Sequence, residues 1–282
     1  FDEAAKTAGV TIIPDCGLEP GLDLILTGYG IQKLDQVEEI EIYTGGIPQP
    51  QVPPVGPLRY KISWAVENTI GLHGRPATIL QDGKPTVIEN PLITGLKRKR
   101  FPDPCGECEC FYTGDRTFLV QTLGLKDVRN IAMWTVRWPG TCQVWETLRA
   151  LGFMSEEPLQ ISSFTLSPRD FLAAHFARVL AFQEGEGDMV VLQVEIKGEK
   201  GGKATRLTYE MIDYYDQEQG LTAMNRCTAF PCSIVCQMVG RGEISRPGVL
   251  RPERDIPFSS FLQELARRNF TITERWETVQ RL

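Results

Sequence analysis

Apolar and polar positions alternate along this chain in two rhythms, one of period two and one near 3.6. Val10–Ile13 is a short apolar run, the tetrapeptide VTII, and Pro14 ends it. A dense turn segment, DCGLEPGLD (Asp15–Asp23), separates it from Leu22–Leu34, whose apolar spacing predicts a helix. Val37–Thr44 (VEEIEIYT) alternates as a half-buried strand does. From Ile47 to Pro57 there are five prolines, each removing a backbone donor and fixing φ, so the stretch predicts an irregular loop. Tyr60–Glu67 reads as a strand or as the start of a helix. Asp82-Gly83 between Pro76–Gln81 and Pro85–Ile88 predicts a hairpin. Gly114-Asp115 between Glu109–Thr113 and Thr117–Leu123 predicts a second, and EKGGK between Met189–Lys197 and Thr205–Asp213 a third. Ala132–Arg137 is a strand that breaks at Pro139-Gly140. Helices are predicted from an N-cap at Thr141 to Leu151, from Ser167-Pro168 to Gln183, over Thr222–Val239 with a break at Pro231, and over Ser259–Arg268. Hairpins flanked by helices define an α+β class: a mixed, antiparallel-rich sheet covered by helices on one face.

Composition narrows the function classes. At 282 residues with a net charge of −6, the chain lacks the concentrated basic face that nucleic-acid binding needs. The one basic run, Lys97–Arg100, reads as a solvated loop. No apolar stretch approaches the roughly 18 residues of a membrane span. Eight cysteines without a secreted spacing point to a reducing, cytoplasmic setting. The opening FDEAAKTAGV reads as the end of a helix capped by Gly9, with no initiator Met and no cap before it, so an upstream segment is expected.

Candidate chemistry is sparse. Cys105, Cys108 and Cys110 offer a CxxC pair but no second pair completes a tetrahedral site, so no metal is expected. Cys232 and Cys236 share a helix face near Cys227 and read as small buried thiols. His73 falls in a Gly-Leu-His-Gly-Arg-Pro stretch that reads as an exposed loop, and His175 lies on a helix; neither has an evident catalytic partner. There is no Walker loop and no GxGxxG after a strand. Two loops stand out: DCGLEPGLD, and the turn after Arg137, where a strand-end arginine meets a helix N-terminus and could receive a carboxylate.

Several stretches taken together, VTIIPDCGLEPGL, YTGGIPQP, YKISWAVENTI, RPATILQDGKP, ECFYTGDRT, TVRWPG and GVLRPE, resemble saccharopine dehydrogenase-like proteins in order along nearly the whole chain, with lysine 6-dehydrogenases the nearest branch. The resemblance implies a substrate domain working with an NAD- or NADP-binding Rossmann domain. Residues 1–24 would be the tail of that domain and the crossover, 25–245 the substrate-binding and dimerisation domain, and 246–282 a segment packing back on the first. It implies oxidation of an amine carbon of lysine or a related amino acid by hydride transfer, in a homodimer or higher homo-oligomer. It further implies cofactor contacts from Gly17, Leu18, Glu19, Pro20 and Ala65, the last a serine in the saccharopine reductase branch. Substrate contacts are implied for Glu19, Arg116, Thr135, Val136 and Arg137, with the two arginines gripping a carboxylate and Glu19 facing a cationic amine. Thr141 stands where many relatives have histidine, so a histidine-dependent proton step there is not expected. The catalytic base is left unassigned. The competing readings are a saccharopine or carboxynorspermidine dehydrogenase, a non-catalytic binding or dimerisation module, and a zinc protein.

Overall fold

The computed structural model describes residues 1–278, and the two hydrophobic rhythms separate there into one large sheet and its helical cover. Helix α1 (Asp2–Ala8) closes on Gly9 in the left-handed conformation (φ 67°) and leads into the short strand β1 (Thr11–Ile12). Helix α2 (Leu22–Ile31) follows, then β2 (Gln36–Pro48), α3 (Val66–Gly74) and the hairpin β3 (Ala77–Gln81) with β4 (Lys84–Ile88). A second hairpin, β5 (Lys97–Arg100) with β6 (Glu107–Tyr112), precedes the single turn α4 (Leu119–Thr122). Then come β7 (Asn130–Arg137), α5 (Thr141–Ala150), a small hairpin of β8 (Leu159–Ile161) and β9 (Phe164–Leu166), and α6 (Pro168–Val179). The longest hairpin joins β10 (Asp188–Lys200) to β11 (Lys203–Tyr214) through Gly201 and Gly202, both at positive φ. Helix α7 (Ala223–Gly240), β12 (Gly248–Val249), α8 (Pro252–Asp255), α9 (Phe258–Ala266) and β13 (Thr273–Thr278) complete the described residues.

Nine strands form the main sheet in the order β13-β11-β10-β2-β7-β3-β4, with β6 also on β7 and β5 outside it. Only β2 and β7 pair in parallel there; the other ladders are antiparallel. The α+β, antiparallel-rich expectation holds. Separately, β1 pairs in parallel with β12.

Alternation along the strands sorts the core. Ile40 and Ile42 of β2, Ile131 and Met133 of β7, and Val190, Leu192, Val194 and Ile196 of β10 pack against α2, α7 and α9. Fully burying such a side chain contributes about 1.5–3 kcal/mol, and truncating one to alanine costs about 2–5 kcal/mol. The intervening residues Tyr43, Trp134 and Val191 form the opposite face with Phe101 and the three clustered cysteines. A third cluster packs α3, α5 and α6 around Tyr60, Phe111 and Trp145.

Several local expectations change. β2 runs on through Gly45–Pro48, because β10 pairs with it as far as Pro48. Ladder pairing in the sheet interior outweighs the local glycines. Tyr60–Ala65 forms no strand; Ala65 caps α3 instead. Lys97–Arg100 is a strand, not a solvated loop. Lys97 bonds Glu41 (2.7 Å) and the Tyr43 hydroxyl (2.8 Å), and Lys99 bonds Glu195 (2.6 Å), across the sheet face that carries Tyr43 and Trp134. Thr117–Leu123 turns into α4, so Gly114-Asp115 does not connect a hairpin. The cap before α5 is Gly140, and Thr141 is the first helical residue. Cys227 is buried as expected, but Cys232 and Cys236 are exposed. Burial pushes the thiols of Cys105, Cys108 and Cys110 up to about 12, and no metal-ligand cluster exists among the described residues.

Candidate active site

The turn between β1 and α2 is built on glycine. Gly21 sits at φ 146°, and a Cβ there would lie 2.1 Å from the Gly17 carbonyl oxygen, so only glycine fits. The Gly17 N–H donates to Pro20 O (3.0 Å) and the Leu22 N–H to Gly17 O (2.8 Å), which folds the segment back on itself. Asp23, in the first turn of α2 and fully buried, accepts the Gly21 N–H at 2.7 Å. Its other oxygen accepts from Arg116 Nε (3.2 Å) and Nη2 (3.0 Å), and Arg116 Nη2 also donates to Glu19 Oε1 (3.1 Å).

This turn walls a cavity of about 480 Å³. Its residues include Gly17, Leu18, Glu19 and Pro20 from the turn, and Thr44, Gly45 and Gly46 from β2. Ser63 and Trp64 precede α3, Leu72 lies on it, Thr135 and Arg137 end β7, and Met224 starts α7. The two glycines of β2 let strands approach closely: a Cβ on Gly45 would stand 2.4 Å from Val136 O. The cavity therefore lies at the end of the parallel β2–β7 pair, where neighbouring strand ends and a helix start converge.

Three features give it chemistry. Glu19 keeps 24% of its side chain exposed, yet burial pushes its carboxyl up to about 7, against the opposing pull of Arg116. A carboxyl titrating near neutrality can take or give a proton. Second, the buried hydroxyls Thr44 Oγ1 and Ser63 Oγ have no hydrogen-bond partner among the described residues. Third, Arg137 is 2% exposed and makes no ion pair within 4 Å among the described residues, though Glu19 is near enough to feel its charge and Glu109 faces it across the β6–β7 ladder. Its Nε donates to His73 Nε2 (3.3 Å), its Nη1 to Val136 O (2.9 Å), and its guanidinium lies 4.8 Å over the Tyr60 ring. With no direct ion pair, its guanidinium keeps charge that a ligand carboxylate could meet.

Gly17, Leu18, Glu19, Pro20, Thr135 and Arg137 thus come together on one cavity. Ala65 stands beside it, next to Ser63 and Trp64, with its own side chain exposed. Arg116 reaches the cavity only through Glu19, since its guanidinium is engaged by two carboxylates. The Val136 side chain points to the opposite face of the sheet, as strand alternation requires, and only its carbonyl serves the site. His73 is the largest departure: it is buried on α3, not exposed in a loop. The sequence reading also passed over Asp23, Thr44 and Ser63. An acid in a first helical turn was a usable signal for Asp23. A helix begun at Val66 would have set Thr69, Ile70 and His73 on one face.

A neutral-range carboxyl and a buried arginine thus share one cavity, walled by a β–turn–helix crossover. The sequence profile of the saccharopine dehydrogenase C-terminal domain family matches residues 17–270, and the chain belongs to that family. It is 26% identical to the saccharopine dehydrogenase (NADP(+), L-glutamate-forming) of Pyricularia oryzae, over 89% of this chain and 70% of that protein. It is 31% identical to the alpha-aminoadipic semialdehyde synthase of Arabidopsis thaliana, over 57% of this chain and 16% of that protein. The fold matches apo saccharopine dehydrogenase (L-Glu forming) from Saccharomyces cerevisiae with a TM-score of 0.83 at 20% identity, covering 98% of this chain and 76% of that one.

Proposed function

We propose that this protein oxidises a carbon–nitrogen bond of an amino acid related to lysine, with NADP as hydride acceptor, and that saccharopine is its substrate. The observation that carries the reading is that Glu19 and Arg137, which make no direct ion pair, line one cavity. The names of the relatives support the substrate and the cofactor. Arg137 receives a substrate carboxylate through charge-assisted hydrogen bonds. Glu19, half-titrated near neutrality, holds the amine and takes the proton its nitrogen loses as the carbon–nitrogen double bond forms. Arg116 and Asp23 hold Glu19 in place and do not touch the ligand.

The cavity residues fit the nicotinamide end of the dinucleotide. Apolar side chains of Leu18, Pro20 and Leu72 flank the two partnerless hydroxyls of Thr44 and Ser63, which suits a flat ring bearing an amide. The nicotinamide supplies the hydride acceptor when bound. The chain's own contribution is to orient the carbon, keep water away and move the proton. In this reading residues 1–24 connect to a nucleotide-binding domain, 25–245 hold the substrate and the dimer contact, and 246–282 pack back. The protein works in the cytoplasm as a homodimer or larger homo-oligomer.

A second reading, direct oxidation of the side-chain amine of lysine as in lysine 6-dehydrogenases, is supported by the sequence motifs quoted above. Reduced-nicotinamide formation by the full-length protein, with L-saccharopine and with L-lysine, separates the two. Turnover of L-saccharopine alone supports the first and of L-lysine alone the second. Turnover of neither removes both.

A further inference from the structure

Arg137 must keep its charge and its direction at once, and these demands conflict. The usual way to fix a buried arginine is a carboxylate fork, as Asp23 and Glu19 provide for Arg116. Such a fork would neutralise the charge that a ligand carboxylate needs. His73 offers another solution. Its Nδ1 lies 2.7 Å from the carbonyl oxygen of Thr69, one turn earlier on α3. A carbonyl can only accept, so Nδ1 carries the proton. Arg137 Nε, 3.3 Å from Nε2, can only donate, so Nε2 carries the lone pair. Two independent partners thus select the same neutral tautomer.

The ring itself cannot turn. It stacks on Trp145 (centroids 4.1 Å apart, 9° between planes), and Phe111 (5.2 Å) and Tyr60 (6.3 Å) bound its remaining sides. Burial and the facing Arg137 cation hold its pKa well below the ordinary histidine range, against the pull of the Thr69 hydrogen bond. Arg137 is the charged side chain that faces the ring. With Nε on His73 and Nη1 on Val136 O, the Nη2 group has no hydrogen-bond partner among the described residues and is left for the cavity.

We propose that His73 is the positioning residue of the carboxylate receptor: its fixed neutral tautomer locks the Arg137 guanidinium in the plane that meets a substrate carboxylate, without cancelling its charge. This deepens the function proposed above and rests on it for the identity of the ligand. The orienting hydrogen bond itself does not depend on that identity.

The test has two arms. In the first, ¹⁵N NMR of the protein records the His73 tautomer, the scalar coupling across the Arg137 Nε–His73 Nε2 hydrogen bond, and the order of the Arg137 Nε–H vector. An Nδ1–H tautomer, a resolved coupling and a rigid Nε–H are expected. His73→Phe keeps the stacked ring but removes the acceptor, and should loosen that vector; His73→Gln, a neutral acceptor, should restore it. An Nε2–H tautomer, an imidazolium at neutral pH, or an Arg137 equally rigid in His73→Phe overturns the proposal. In the second arm, calorimetric titration of L-saccharopine should show a Kd raised roughly tenfold or more in His73→Phe, for a lost bond to a charged group. His73→Gln should recover most of it, and His73→Glu should bind more weakly than either, because it neutralises Arg137. Wild-type affinity in His73→Phe overturns the proposal. Absence of binding by the wild type counts against the proposed function, and the first arm then decides the role of His73 alone.

Discussion

Two buried arginines stand on either side of Glu19, and they are held in opposite ways. Arg116, just past β6, is forked by Asp23 and Glu19 and closes the corner between the sheet and α2. Arg137, at the end of β7, rests on a neutral histidine, a backbone carbonyl and an aromatic face. One follows β6 and the other ends its neighbour β7, and a motif reading treats them alike. The difference lies in the counter-charge. A cation already forked by carboxylates is a structural tie, whereas one held by neutral partners keeps charge to offer, as the proposed receptor requires. The contrast predicts that the two should fail differently when removed.

The largest effect is expected at the tie. Arg116→Ala leaves Asp23 as an uncompensated charge at 0% exposure and should cost about 3–5 kcal/mol in denaturant unfolding. A loss under about 1 kcal/mol would mean the corner is not held by charge. Arg137→Ala should invert that profile. It strands no carboxylate, so stability should fall by no more than about 1–2 kcal/mol, while kcat/KM for the amino-acid substrate drops on the order of 100-fold. Equal stability losses in the two variants would erase the distinction.

Glu19 sits between the two and reports on both through pH. Its folded carboxyl titrates at about 7 against an ordinary 4.5, so the native state keeps a proton that the unfolded chain has released. Unfolding releases that proton between those values, so this group makes stability fall as pH rises through the window, by roughly 1–3 kcal/mol in all. Glu19→Gln keeps the acceptor for Arg116 and should remove that slope in a comparison of unfolding free energies at pH 4.5 and 8. An unchanged slope would show that burial does not perturb the carboxyl. The smallest effect is expected at Ser63→Ala. Its hydroxyl has no partner to lose, so stability should hold within about 0.5 kcal/mol, and KM should rise only a few-fold.

Much of this was readable in the chain because local and tertiary demands agree there. Asp82-Gly83 and Gly201-Gly202 supply the positive φ their tight turns require. Ser167 accepts from the Asp170 N–H at 3.0 Å just as its N-cap pattern implies. The failures occur where a distant partner overrules local chemistry. Gly45–Pro48 look like the start of a loop until β10 pairs alongside them. Lys97 and Lys99 look solvated until Glu41 and Glu195 appear opposite them on other strands. His73, between two glycines, looks exposed, yet the aromatic pocket that buries it comes from β6, α5 and the segment before α3. The Glu19 motif is local and was visible. The distinction between Arg116 and Arg137 was not, because it depends on which of them Asp23 reaches.

The small parallel sheet has a mechanical meaning for the site. Because β1 pairs with β12, more than two hundred residues of chain leave one strand of this pair and return to the other. The chain then leaves again through Leu250 toward α8, so three passages join the small sheet to the large one. The first of these, Ile13–Gly21, is also the wall that carries Glu19. The covalent chain thus ties Glu19 to the small sheet, while its hydrogen bond to Arg116 ties it to the large one. Only the few residues from Ile12 to Glu19 separate the two attachments, so this carboxyl sits at the joint between the sheets, while Arg137 belongs to the larger one.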